Sequence, residues 1–113
     1  MQSAPYSASG ASFAIQEWRG SCPSGLHVHH SDDEAWHVLE GYLSFRYAHS
    51  AEIARSGTTV FVPAGIAHTF TASDDARYLV VLTPRLSALI AALHEERDPA
   101  HEIYHRFDSE LLE

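Results

Sequence analysis

Between His27 and Gly41 the chain reads HVHHSDDEAWHVLEG, with four histidines and three carboxylates inside the eleven residues His27–His37. Imidazole and carboxylate are the ligand types of first-row divalent metals. In an extended segment residues two apart face the same way, so His27 and His29 turn two imidazoles to one side and His30 points away. Glu34 opens a second run, EAWHVLE, in which Glu34, Trp36 and Val38 share one face and Ala35, His37 and Leu39 the other. Asp33 takes the place of Glu34 if the intervening turn is one residue shorter. A further imidazole, His68, closes GTTVFVPAGIAH, where Pro63 and Gly65 fit the second and fourth positions of a type I turn. It follows His29 by 39 residues and can reach the first pair only if the sheet closes on itself, as a β-barrel does.

The elements that must position these groups fall into three zones. Residues 1–11 are small and polar and read as a flexible arm. Residues 12–83 hold short runs rich in aromatic and β-branched residues, SFAIQEW, AWHVLE, YLSFRYA, TTVFVP, HTFTA and RYLVVLT, punctuated by glycines and other turn formers. That pattern predicts an all-β sandwich or barrel, with Gly41 in a hairpin turn. Residues 84–113 read as a helical extension. Thr83-Pro84 is a cap with proline in the first turn, and Leu86, Leu89, Ile90 and Leu93 form one apolar stripe. Asp98-Pro99 repeats the cap signal, and Ile103, Phe107 and Leu111 give a second helix a face. Two such helices are expected on the outer face of the β domain or on a second subunit, and His94, His101 and His105 on them as ordinary surface or interface residues.

The chain has 113 residues, enough for one domain with its own core. Its formal charge of −8 repels phosphate backbones and anionic membranes, which argues against nucleic acid as a partner. Cys22 is the lone cysteine, so no internal disulfide forms; this suits a reducing compartment, and the thiol reads as a small buried hydrophobe. The opening MQSAPYSASGAS lacks the basic and apolar parts of a secretory signal. These features predict a cytoplasmic protein.

Two linked motifs carry a resemblance. H-x-H-x4-E-x6-G is met by His27, His29, Glu34 and Gly41, and G-x5-P-x-G-x2-H by Gly57, Pro63, Gly65 and His68, with 15 residues between Gly41 and Gly57. In both respects the sequence resembles the cupins. The resemblance covers about residues 20–72 and implies a double-stranded β-helix, the jelly-roll barrel, here with two C-terminal α-helices. Two departures stand out. Gly20 lies one residue early for the first motif's opening glycine, and Ala72 replaces the second motif's final asparagine.

The resemblance implies that His27, His29, Glu34 and His68 bind one divalent metal ion inside the barrel. Three imidazoles and a carboxylate suit Fe, Mn, Ni, Co, Cu or Zn, and six-coordination leaves two positions for water, oxygen or substrate. Glu34 is also the candidate catalytic proton acceptor, should its bond to the metal loosen. The expected pocket lining is Trp36, Val38, Phe45 or Ser44, Phe61, Phe70, and Tyr78 or Leu79, mostly apolar, with Arg19, Arg46 and Arg77 as candidate carboxylate anchors. Such a pocket suits a small apolar or aromatic organic molecule. The expected function is a metal-dependent enzyme of oxygenase, isomerase or lyase type, set against a non-catalytic small-molecule or metal-binding module. Sheet edges that need covering make a homodimer the expected assembly.

Overall fold

Two antiparallel sheets face each other in the computed structural model, which describes residues 6–113. The first has the order β1 (Ser7–Ser9), β2 (Ala14–Trp18), β9 (Arg77–Leu82), β4 (Glu34–Glu40), β7 (Thr59–Val62). The second has the order β10 (Ser109–Leu111), β3 (His27–His29), β8 (His68–Ala72), β5 (Tyr42–Tyr47), β6 (Ala51–Arg55). Two helices, α1 (Pro84–Glu95) and α2 (Ala100–Arg106), separate β9 from β10. This is the all-β sandwich that the alternating runs predict, in the jelly-roll form that the resemblance implies.

Period-two alternation sorts the side chains. Glu34, Trp36 and Val38 of β4, Tyr78, Val80 and Leu82 of β9, and Leu43 and Phe45 of β5 are all buried between the sheets. Aromatic rings meet edge to face there, Trp36 with Phe45 at 5.1 Å and Phe70 with Tyr78 at 5.6 Å between centroids, the geometry ring quadrupoles favour.

Several elements differ from the sequence reading. Gly41 is not in a hairpin, because β4 and β5 belong to opposite sheets; it is the corner where the chain crosses between them, at φ 67°. The turn before His68 closes one residue later than expected. Ile66 N–H donates to the Pro63 carbonyl, and Gly65 occupies the third position at φ 89°, as in a type II turn. Residues 1–5 of the expected arm lie outside the described residues, and Ser7–Ser9 pair with Ala14–Gln16 as an edge strand.

The C-terminal region departs most. Thr83 caps α1 as expected, its hydroxyl accepting from Leu86 N–H at 3.2 Å. Asp98 does not cap α2; its carboxylate accepts from Arg106 at 3.0 Å instead. The second helix stops at Arg106, so Leu111 is on no helix face. Asp108 turns the chain at φ 54°, and Ser109–Leu111 return as β10, paired antiparallel with β3. Nor do the helices lie on the outer face. Leu86, Leu89, Ile90 and Leu93 of α1 and Tyr104 of α2 cover the mouth of the space between the sheets, over the histidines.

Candidate metal centre

The four residues singled out by type and spacing come from both sheets. His27 and His29 point inward from β3, and His68, from the next strand, is the direct cross-strand partner of His27. Their ligand nitrogens lie within 4.8 Å of one another. Glu34 reaches across from β4, placing Oε1 3.2 Å from His29 Nε2 and 3.3 Å from His68 Nε2. All four residues are buried, none more than 7% exposed.

Each ring is held by its other nitrogen. His27 Nδ1 lies 2.9 Å from the Gly25 carbonyl and His68 Nδ1 2.9 Å from the Ile66 carbonyl. A carbonyl only accepts, so both rings carry a proton on Nδ1 and present an Nε2 lone pair when neutral. His29 Nδ1 lies 2.7 Å from Ser109 Oγ, whose own hydroxyl donates to the Phe107 carbonyl, which again leaves His29 as the donor. The turn that delivers His68 is tied to the same strand: Gly65 N–H donates to the His29 carbonyl. Asp33, the alternative to Glu34, accepts from Ala64 N–H in that turn and does not face the cluster.

The electrostatics follow. His27 is pushed down to about 3, first by burial and then by the neighbouring His68. Burial raises the Glu34 carboxyl, and it falls to about 2 only where His29 and His68 donate to it. Those bonds require a proton on Nε2 of rings whose Nδ1 protons are already committed. Without such protons, Glu34 Oε1 and His68 Nε2 have no hydrogen-bond partner. A divalent cation would take the place of the missing protons. Two donors bound at right angles, each about 2.1 Å from a metal, lie about 3.0 Å apart. The 3.2 and 3.3 Å separations come within a few tenths of an ångström of that, so the residues fit a metal ion.

Above the cluster is a cavity of about 40 Å³ lined by Trp36, Phe70, Val80, Cys22, the α1 stripe and Tyr104. Of the expected lining, Trp36 and Phe70 are there. Val38, Phe45 and Tyr78 are core residues that do not line it, and the Tyr78 hydroxyl donates to the Gly20 carbonyl. Phe61 is 62% exposed on the outer face, since β7 alternates and Val60 and Val62 take the inward positions. No expected arginine faces the cavity. Arg19 is exposed, Arg46 pairs with Glu113, and Arg77 with Glu17 and Glu40. His30 and His37 point away, toward Glu110 and Thr59.

Tyr104, Ser109 and the placement of the α1 stripe over the histidines escaped the sequence reading. The stripe was visible as amphipathicity, but nothing in its period says which surface it covers. Tyr104 packs 5.2 Å from the His27 ring and is stacked over His29. Burial raises both the Tyr104 hydroxyl and the Cys22 thiol, so each stays protonated.

A family model described as "Cupin domain" matches residues 16–82. An uncharacterized protein of Streptomyces coelicolor is 38% identical over 56 residues, which is 49% of this chain and 53% of that protein; the chain thus spans about half the length of this relative. Among solved structures, a cupin-2 domain containing protein from Shewanella frigidimarina superposes with a TM-score of 0.60 at 17% identity, over 74% of this chain and 84% of that one. A protein from Neisseria meningitidis gives 0.57 at 18%, over 70% and 82%.

Proposed function

The chain belongs to the cupin family, and from that premise we propose that it binds one divalent metal ion through His27, His29, Glu34 and His68 and acts there on a small apolar or aromatic organic molecule. The observation that carries this reading is the convergence of imidazole lone pairs and a buried carboxylate with no proton left to share between them. The bound ion would supply a Lewis acid with open positions for a chelating oxygen pair.

The chain's own residues do the rest. The Gly25 and Ile66 carbonyls and Ser109 hold the three rings in one tautomer. Trp36, Phe70 and the α1 stripe exclude water and favour an apolar body. Glu34, the one carboxylate lining the cavity, is the proton acceptor should its bond to the metal loosen. A cavity of about 150 Å³ accommodates benzene, so at about 40 Å³ this one must widen to admit a ring.

Elemental analysis of protein purified without chelators, followed by oxygen-uptake assays on phenol, diketone and thiol panels, tests the reading. One equivalent of metal and substrate-dependent uptake support oxygenase chemistry. Metal without uptake leaves isomerase or lyase chemistry and the second reading, a non-catalytic binding module. That second reading is favoured by the protonated state of Tyr104 and Cys22, which leaves no second acid–base group of matched pKa at the site. Failure to retain any supplied metal sinks the enzyme reading and a metal-binding module alike.

We also read the chain as a cytoplasmic homodimer. The outer face of the first sheet carries an apolar groove lined by Phe13, Ala35, Phe61 and Val81, which suits a second copy.

A further inference from the structure

β10 does more than cover an edge of the second sheet. Its register sets Ser109 directly opposite His29, and such a pair projects to one face with Cβ atoms within hydrogen-bonding reach of each other's side chains. Ser109 is 2% exposed, and its Oγ lies 2.7 Å from His29 Nδ1. A hydroxyl can donate or accept, and here its proton goes to the Phe107 carbonyl at 3.2 Å. The Oγ lone pair is therefore left to accept from Nδ1–H. His27 and His68 take the same restraint from backbone carbonyls two residues before each. His29 alone takes it from a side chain, 80 residues away.

The turn that delivers Ser109 is itself fastened near the cluster. The Asp108 carboxylate accepts from Ser31 and from Arg85 at 3.1 Å, and Arg85 also pairs with Asp32 at 3.3 Å. Asp32 and Ser31 lie in the loop joining His29 to Glu34. Asp108 is thus bound both to that loop and to the first turn of α1. His30 N–H donates to the Asp108 carbonyl, and Leu112 N–H to that of Leu26, closing the β3–β10 ladder at both ends.

We propose that Ser109 is a positioning residue of the metal centre: by accepting from His29 Nδ1–H it selects the tautomer whose Nε2 binds the ion, so that metal affinity depends on docking of the C-terminal strand. This rests on the metal-binding reading above. Loss of an outer partner of a ligating histidine typically weakens metal binding about 10- to 100-fold.

The test uses the full chain labelled with ¹⁵N-histidine, in wild-type form and as Ser109→Ala and Ser109→Cys, the second keeping the shape with a poor acceptor. Three quantities are read: the ¹⁵N shifts of the His29 ring without metal, the affinity and visible spectrum on titration with Co(II) alone, and hydrogen exchange of the amides paired between β3 and β10. The expected result is a protonated Nδ1 in the wild type, loss of that preference in both variants, Co(II) binding weaker by about 10- to 100-fold with an altered spectrum, and protected β10 amides. Variants that keep β10, the tautomer and Co(II) affinity within twofold overturn the proposal. So does release of β10 in both variants, which would assign Ser109 a packing role only. Wild-type protein that binds no Co(II) defeats the metal-binding reading itself, a result seen before any variant is compared.

Discussion

Glu34 Oε1 and His68 Nε2 stand 3.3 Å apart, on strands of opposite sheets, and neither has a hydrogen-bond donor or acceptor to satisfy it. Two buried lone pairs facing each other cost free energy unless a positive charge lies between them. The fold thus holds a destabilised contact that a bound ion would relieve.

Removing one partner separates the two consequences. Glu34→Gln offers an amide N–H to His68 Nε2, so the metal-free variant melts at or above the wild-type temperature. It loses the stabilisation by added metal, which for the wild type at a hundredfold excess over Kd is about 2.7 kcal/mol. His68→Ala also loses that gain. Calorimetry with and without Co(II) checks both; equal stabilisation of E34Q and wild type would contradict the assignment.

Gly41 is a second point of sensitivity. A Cβ there would meet Ser73 Oγ at 2.5 Å, Asp75 Oδ1 at 2.6 Å and Ala76 Cα at 2.8 Å, at a φ of +67°. The left-handed conformation alone costs a non-glycine residue about 1–2 kcal/mol, and the overlap adds to it. Gly41→Ala should lower the urea midpoint without changing the slope, since the corner between the sheets must open to accept the methyl.

The apolar outer face makes an assembly prediction. Phe61 and Phe13 are 62% and 55% exposed beside Val81. Wild-type protein should sediment at twice the 12.5 kDa chain mass, and Phe61→Asp as a single chain with its circular dichroism unchanged. Sedimentation of both proteins as monomers rejects this face as the interface.

The tail carries a pH dependence. Arg46 and the Leu26 N–H hold the Glu113 carboxylate down to about 2, against 4.5 for a free group. A depressed acid stabilises the folded form above its unfolded pKa and loses that contribution as pH falls toward the folded value. The clasp is complete above pH 4.5 and released toward pH 2. Exchange of the Leu112 amide, corrected for its intrinsic pH dependence, should gain protection over this window in the wild type and stay flat in Glu113→Gln. The group is exposed, so global stability should hardly move.

What the sequence determined by itself is local. Ligand types, the two-residue spacing of His27 and His29 and the alternation around Trp36 are short-range patterns; they gave the candidate ligands, an all-β domain and the α1 cap, while the jelly roll and the full four-residue set came from the resemblance to the cupins. Strands without a period signal, Ala51–Arg55 and Ser7–Ser9, were missed because pairing rather than propensity makes them. The outward turn of Phe61, the crossing at Gly41, the roof of α1 over the histidines and the return of Ser109 to His29 were decided by tertiary structure alone. Each depends on which distant strand or helix lies alongside. A contact across 80 residues is selected by closing the sheet and burying the stripe, and leaves no mark on the residues nearby in the chain.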